Sequence, residues 1–265
     1  ELSRFNRYSG DDWFSVSLDT ATVVAEALRV YERSDGAFDV TVGPLVNLWG
    51  FGPPGTRIEV PHADSIAAAR GRIGSHHLEA RVSPPALKKA RPDLYVDLSG
   101  IAKGYAVDAL AEVLGAMGID GFVVDIGGDM LTGGRKRDGA LWEIAIESPE
   151  TDSRSIHRVL PITDRAIATS GDYRNYFEVD GLRYSHEIDP RSGYPIRHSL
   201  VSVSVLEGSC MRSDAWATAL IVLGPEKGFH LAEEENLAAF FIVKGRNGFF
   251  NKTTDALDRV SQERR

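Results

Sequence analysis

YVDLSGIAKGYAVDALAEVLGAMGIDGFVVDIGGD, residues 95–129, sets out a strand, a tight turn, a helix and a second strand in one run. The apolar residues Leu94, Tyr95 and Val96 lead to Asp97, and Ser99 and Gly100 then turn the backbone. Ala102, Tyr105, Ala106, Ala109, Leu110, Val113, Leu114 and Met117 recur at helical spacing. Gly118 is placed to end that helix in the left-handed conformation, Phe122 to Ile126 form a second apolar strand, and Gly127-Gly128-Asp129 turn away from it. A carboxylate, a lysine and bare backbone thus collect at the edge of one unit.

Gly100 and Gly104 lack side chains, so a polyanion could approach the main chain there, favoured by helix N-terminal amides and by Lys103. A nucleotide phosphate suits such a place. The stretch contains neither GxGxxG nor GxxxxGK[ST], so glycines that serve packing alone remain the alternative.

The 265 residues suffice for one large domain or two small subdomains with an apolar core. A net charge of −8 argues against a nucleic-acid partner, and the longest basic cluster is the short run Arg135-Lys136-Arg137. An acidic enzyme that takes a phosphorylated ligand needs a divalent cation to offset the repulsion. Cys210, the sole cysteine, excludes an internal disulfide without fixing a compartment. Neither a run of transmembrane length nor a signal peptide is visible, and the chain opens mid-pattern at Glu1, so a leader or first strand is expected ahead of it.

A helix is predicted from near Asp19 to Asp35-Gly36, with Val23, Val24, Ala27, Leu28 and Tyr31 as its buried face. Ala37 to Val42 reads as a short strand. Gly43-Pro44 and Gly52-Pro53-Pro54-Gly55 make the remainder of that stretch a loop, and a second helix is expected from Asp64 to Arg72. The adjacent His76 and His77 should point apart and make a poor metal pair. Ser83 to Pro92 reads as a hairpin or loop. After Asp129 come short strands with close turns, at Trp142–Ile146, Arg158–Ile162, Ala166–Thr169 and Tyr176–Val179, the mark of an antiparallel sheet. Val201, Val203 and Val205 alternate with serines as in a half-buried strand. Ser213 is expected to cap a helix that Gly224-Pro225 ends, and AAFFIV with GRNGFF forms a closing hairpin.

Asp214 and Thr218 stand four apart in SDAWATAL, so carboxylate and hydroxyl can converge on one point, an oxygen set that suits Mg²⁺. A first-turn charge beside a core threonine is the plainer alternative. His186, in YSHEIDPRSGYP, stands in a polar, turn-bounded context with a side chain suited to proton transfer near neutrality, or to a structural hydrogen bond. Tyr173 and Tyr176 of ATSGDYRNYF could stack on a ring, though packing is the simpler reading.

Taken together, GAFDVTVGPL, DLSGIAKGYAVD, the GGD turn, ATSGDYRNYF, YSHEIDPRSGYP and SDAWATALIVLG resemble, in order and spacing, the ApbE family of FAD:protein FMN transferases. The resemblance implies a single α+β domain of two intimately joined subdomains, mainly antiparallel sheet with packed helices, with the cofactor site between them. It places Ala37, Phe38, Asp39, Asp97, Lys103 and Ile188 against FAD, and a Mg²⁺ ion on Asp214, Thr218 and the backbone carbonyl of Gly100. His186 matches the histidine proposed to activate the acceptor hydroxyl. The implied partners are FAD and an acceptor protein with a threonine-containing flavinylation motif, membrane-associated redox proteins among them; members are often periplasmic or membrane-anchored. Two departures stand out. Family members begin several tens of residues earlier, with part of the flavin site there, and Glu187 stands where an apolar residue is usual. FAD hydrolysis to FMN and AMP, or FAD binding without chemistry, are the alternative activities.

Overall fold

A computed structural model describes residues 1–52, 59–149, 155–173 and 175–262. Two units emerge: Glu1–Gly100 with Asn175–Arg197, and Ile101–Arg174 with His198–Arg265. The first begins with α1 (Leu2–Arg7), β1 (Phe14–Ser15), α2 (Leu18–Arg33), α3 (Gly43–Leu48), α4 (Ala63–Arg70), β2 (Leu78–Val82) and β3 (Pro85–Lys89). Ser17 caps α2 by accepting from Thr20 N, and the helix ends where Asp35 and Gly36 take positive φ. The hairpin β2–β3 pairs with β1 in a three-stranded antiparallel sheet.

Two expected strands are absent here. From Ala37 to Val42 the chain turns, because Asp39 Oδ1 accepts from both the amide and the hydroxyl of Thr41. Around Leu94–Val96 no strand forms among the described residues: the Asn6 side chain satisfies Val96 N and O, and Val40 O accepts from Asp97 N. The segment read as loop after Gly43 is instead α3, with Pro44 in its first turn where no amide is missed. Pro53, Pro54 and Gly55 lie outside the described residues. His76 and His77 do not diverge: in a 3₁₀ turn their ring centroids stand 4.0 Å apart.

The chain enters the second unit with α5 (Ala102–Ala116), β4 (Phe122–Ile126), β5 (Asp129–Gly133), β6 (Trp142–Glu147), β7 (Ile156–Ile162) and β8 (Arg165–Gly171). It returns to the first with the hairpin β9 (Tyr176–Val179) and β10 (Leu182–Ser185), then the short pair β11 (Ile188–Asp189) and β12 (Tyr194–Pro195). Within the first unit, Leu45, Trp49, Ile66, Ala69, Tyr184 and Ile188 form a core.

The chain closes the second unit with β13 (Leu200–Glu207), α6 (Cys210–Glu234), β14 (Ala238–Gly245), β15 (Gly248–Thr253) and α7 (Asp255–Gln262). Its six-stranded antiparallel sheet runs β15-β14-β13-β8-β5-β4. Ile144, Ile146, Leu160 and Ile162 of the β6–β7 hairpin, with Ala256 and Leu257 of α7, pack on one face against Ile167, Leu206 and Phe240. Val107 and Ala111 of α5 pack on Val124 and Ala166 from the other. With both faces covered, β13 is buried from Leu200 to Leu206 rather than half-buried, Ser202 and Ser204 included, and Ser204 Oγ meets Thr169 Oγ1 at 2.7 Å.

The two helices correct the sequence in detail. In α5 the buried face is Gly104, Val107 and Ala111, whereas Leu110, Val113 and Met117 are exposed. The cap of α6 is Ser209, accepting from Arg212 N; Ser213 lies inside, its hydroxyl donating to Ser209 O. Gly224, at φ 83°, breaks α6 before Pro225 as expected. Among the described residues no helix is long and apolar enough to cross a membrane.

Candidate functional site

The N-termini of α5 and α6 are fastened to each other. A Cβ on Gly104 would stand 2.3 Å from the carbonyl oxygen of Cys210, so only glycine permits this approach, and here the bland reading of that glycine holds. Asp108 of α5 caps α6, accepting from Ser209 Oγ at 2.7 Å, Cys210 N at 2.7 Å and Met211 N at 3.0 Å. In return Asp214 Oδ2 accepts from Gly104 N at 3.0 Å, so the anion held by the start of α5 is a side chain of α6.

Three charges meet around that junction. The Lys103 ammonium is ion-paired with Asp129 Oδ2, and the Asp129 and Asp214 carboxyls lie near enough to act on each other electrostatically. Asp129 is 1 % exposed and Asp214 5 %. Burial raises the pKa of both, and in Asp214 the charge of Asp129 raises it further, because two carboxylates out of water repel and the Lys103 ammonium offsets only part of that. One turn along α6 the Thr218 hydroxyl stands 3.5 Å from Ser170 Oγ of β8. Carboxylate and hydroxyl oxygens short of positive charge fit a hard divalent cation such as Mg²⁺. Among the described residues no group of three or more His, Cys, Asp or Glu could hold a metal by itself, so such an ion would draw further ligands from its substrate.

Asp129 was missed as a site residue because GGD reads as a turn. Gly127 and Gly128 do turn the chain at φ 60° and 94°, but Asp129 is thereby the first residue of β5 and faces inward. Strand alternation after a two-residue hairpin turn was the available signal.

In the first unit the structure brings together the loop Ala37–Asp39 and Asp97. Asp97 N donates to Val40 O at 2.7 Å, and a Cβ on Gly43 would lie 3.5 Å from Asp97 Cβ. Ala37 and Phe38 are buried at 1 % and 3 % exposure, so their side chains serve the core. The Asp39 carboxylate is consumed locally: Oδ1 accepts from Thr41 N at 2.7 Å, Thr41 Oγ1 at 2.6 Å and Ser75 Oγ at 2.7 Å, and Oδ2 from Ser75 N at 3.4 Å. Thr41 Oγ1 in turn accepts from Gly74 N. Asp97 is half-buried, and its Oδ1 accepts from Ser99 N. Ile188 lies in the core of this unit, and Gly100 is half-buried in the turn after Asp97.

His186 ends an aromatic ladder in which Trp49 stacks on Tyr184, Tyr184 on Phe177, and Phe177 meets Phe51, whose ring is edge-on to the imidazole at 6.2 Å. Its Nδ1–H donates to Asn175 O at 3.1 Å, which leaves Nε2 of the neutral ring as the proton acceptor. Glu187 Oε1 stands 3.5 Å from that Nε2. Below it the DPRSG turn is held by Arg191, whose guanidinium and amide donate to Asp189, and by Trp49 Nε1, which donates to Gly193 O. Tyr176 lies under the Arg183 guanidinium at 3.8 Å, which accounts for it by packing.

The chain as a whole is similar to proteins of known family. Residues 1–241 match the family model described as "ApbE family". A FAD:protein FMN transferase of Vibrio cholerae is 50% identical over 249 residues, 94% of this chain and 74% of that protein. One of Haemophilus influenzae is 42% identical over 266 residues, 99% of this chain and 77% of that protein. Among solved structures, the flavin transferase ApbE from Vibrio cholerae superposes with a TM-score of 0.89 at 46% identity, covering 97% of this chain and 82% of that one. The apo flavinyl transferase ApbE of Pseudomonas stutzeri gives 0.88 at 43%, covering 98% and 80%.

Proposed function

The chain belongs to the ApbE family, and from that premise we propose that it moves FMN from FAD onto a threonine hydroxyl of an acceptor protein, with Mg²⁺ as cofactor and AMP as leaving group. Flavin transfer rests on the relatives; the cation is supported by the buried carboxyls Asp129 and Asp214, and the threonine acceptor and the AMP leaving group are what the family resemblance implies. The observation that carries the reading is the buried pair Asp129 and Asp214, of which Asp129 alone is ion-paired, to Lys103, among the described residues.

Asp214, Thr218 and the carbonyl of Gly100 would hold Mg²⁺, which when bound would withdraw charge from the FAD pyrophosphate. Lys103 offers a second positive charge to the same phosphates. For Ala37 to Asp39 the side chains are buried or bonded, so it is their main chain that we assign to FAD, with the Asp39 carboxylate holding the loop in shape. Asp97 and Ile188 complete the FAD set. His186 Nε2 would take the proton from the threonine as its oxygen forms a bond to the FMN phosphorus, while the bond from that phosphorus to the bridging oxygen breaks and AMP departs with it.

Incubation with FAD, Mg²⁺ and a candidate acceptor bearing a threonine motif, followed by intact-mass measurement, tests this. The acceptor should gain the mass of FMN and AMP should accumulate in equal amount. Free FMN would instead mark a pyrophosphatase, and unchanged FAD a binding protein.

A further inference from the structure

The proposed function places Lys103 on FAD, yet its ammonium is bound elsewhere, to the inward-facing Asp129. The arm that reaches there crosses the GGD turn: a Cβ on Gly127 would stand 3.6 Å from Lys103 Cδ. The next residue, Gly104, gives its amide to Asp214, whose carboxyl is electrostatically coupled to that of Asp129. One turn of α5 therefore supplies both the ammonium and the amide that hold the two buried carboxyls. The Lys103 side chain is 36% exposed, so it can swing outward without unpacking the core.

We propose that Asp129 is a positioning residue that stores the Lys103 ammonium as counter-ion of the Asp129–Asp214 pair, and that a divalent cation at Asp214 displaces the ammonium and frees it for a phosphate-bearing ligand. Elementary electrostatics sets the direction. Two buried carboxylates are better neutralised by a double charge than by a single one, and once the double charge is present an ammonium beside it is repelled. Released, Lys103 becomes available to a polyanion. Cation and phosphate ligand then bind with positive coupling, and each raises the affinity for the other by the same factor. The cation half stands without the proposed function; only the identity of the phosphate ligand as FAD rests on it.

Calorimetry with Mg²⁺ alone tests the cation half. Lys103→Met removes the competing ammonium and should tighten Mg²⁺ binding by about 5- to 10-fold, while Lys103→Arg, which keeps the charge, should stay within about twofold of the unaltered chain. An independent reading needs no variant: acetylation of Lys103 in the unaltered protein, followed by peptide mass spectrometry, should run several-fold faster with Mg²⁺ than without. Mg²⁺ binding no tighter in Lys103→Met, or a Lys103 acetylation rate indifferent to Mg²⁺, overturns the proposal. In the FAD half, Asp129→Asn should raise affinity for FAD measured without Mg²⁺ by about 5-fold, because the lysine is no longer held. Affinity unchanged or lowered there also overturns it. If FAD binds neither protein even with Mg²⁺, the proposed function fails while the calorimetry and the acetylation still decide the role of Lys103.

Discussion

Asp39 in one unit and Asp214 in the other are both carboxylates at less than a tenth of full exposure, and they are satisfied in opposite ways. Asp39 receives hydrogen bonds from Thr41 N, Thr41 Oγ1, Ser75 Oγ and Ser75 N, neutral donors all supplied by nearby loops. Asp214 has one backbone amide and a second carboxyl for company, and its pKa rises. A carboxylate surrounded by donors is a knot in the fold; one left short of positive charge takes up a proton or, as we propose for Asp214, a cation. Burial alone would not have separated them. The donor inventory does.

The sharpest way to break this contrast is to remove Asp214. Asp214→Ala should lower FMN transfer by a factor on the order of 10³ at millimolar Mg²⁺, measured as acceptor mass gained per minute. Asp214→Asn should uncouple function from stability: its midpoint without Mg²⁺ should equal or exceed that of the unaltered chain, because a costly buried carboxyl has become neutral, and added Mg²⁺ should no longer raise it. A midpoint that falls in this variant would make Asp214 a second structural knot, and the contrast would collapse.

His186 Nε2 faces the Glu187 carboxylate at 3.5 Å rather than a neutral donor, so it should behave like Asp214 rather than like Asp39. His186→Ala is expected to cost a factor on the order of 10² in transfer rate with little change in FAD affinity, measured by flavin fluorescence. A rate loss wholly explained by weaker FAD binding would return His186 to the scaffold. Asp39→Asn should do the reverse of Asp214→Asn. With its amide nitrogen in the place of Oδ2 it would confront the amide of Ser75, and in the place of Oδ1 the three donors from Thr41 and Ser75, so stability should fall by about 1–3 kcal/mol in chemical unfolding, with or without Mg²⁺.

Much of this contrast was legible in the chain. The helix stop at Gly118, the hairpin at Asp180-Gly181, the break at Gly224-Pro225 and the i,i+4 pair Asp214 and Thr218 all follow from local backbone chemistry, which a sequence carries openly. What hid were residues whose partners are distant in sequence. The Asn6 side chain stands in for a strand beside Val96, ninety residues away, and Asp108 caps a helix that begins a hundred residues later. The strand expected at Ala37–Val42 failed for the same reason that Asp39 is a knot: a short polar side chain offered the backbone a better local partner than a ladder. Asp129 hid behind its glycines, and the outer stripe Leu110, Val113 and Met117 concealed which face of α5 touches α6.

His198 sharpens the contrast at its smallest scale, since it is half satisfied. Its Nε2–H donates to Ile221 O at 2.8 Å, closing the chain against the break at Gly224, where a Cβ would stand 2.7 Å from the imidazole. The buried Nδ1 has no hydrogen-bond partner in the described structure, so the ring is comfortable only when neutral. Burial lowers its pKa, and the nearby Asp172 offsets only part of that. The sign follows from proton uptake. Below the ordinary histidine value near 6.5 the unfolded chain takes up a proton that the folded chain refuses, so the contribution of His198 to stability is present above that pH and is lost as the pH falls through the lowered folded value. His198→Asn, which can still donate to Ile221, should flatten the decline in unfolding free energy between pH 6.5 and 5 while costing no more than about 1 kcal/mol at pH 8. Transfer activity at neutral pH should be unchanged. If the variant keeps the full acid slope, the buried imidazole is not what the protein struggles to hold at low pH, and the carboxyls around Asp214 cannot be blamed either, since raised carboxyl pKa values make stability fall with rising pH instead.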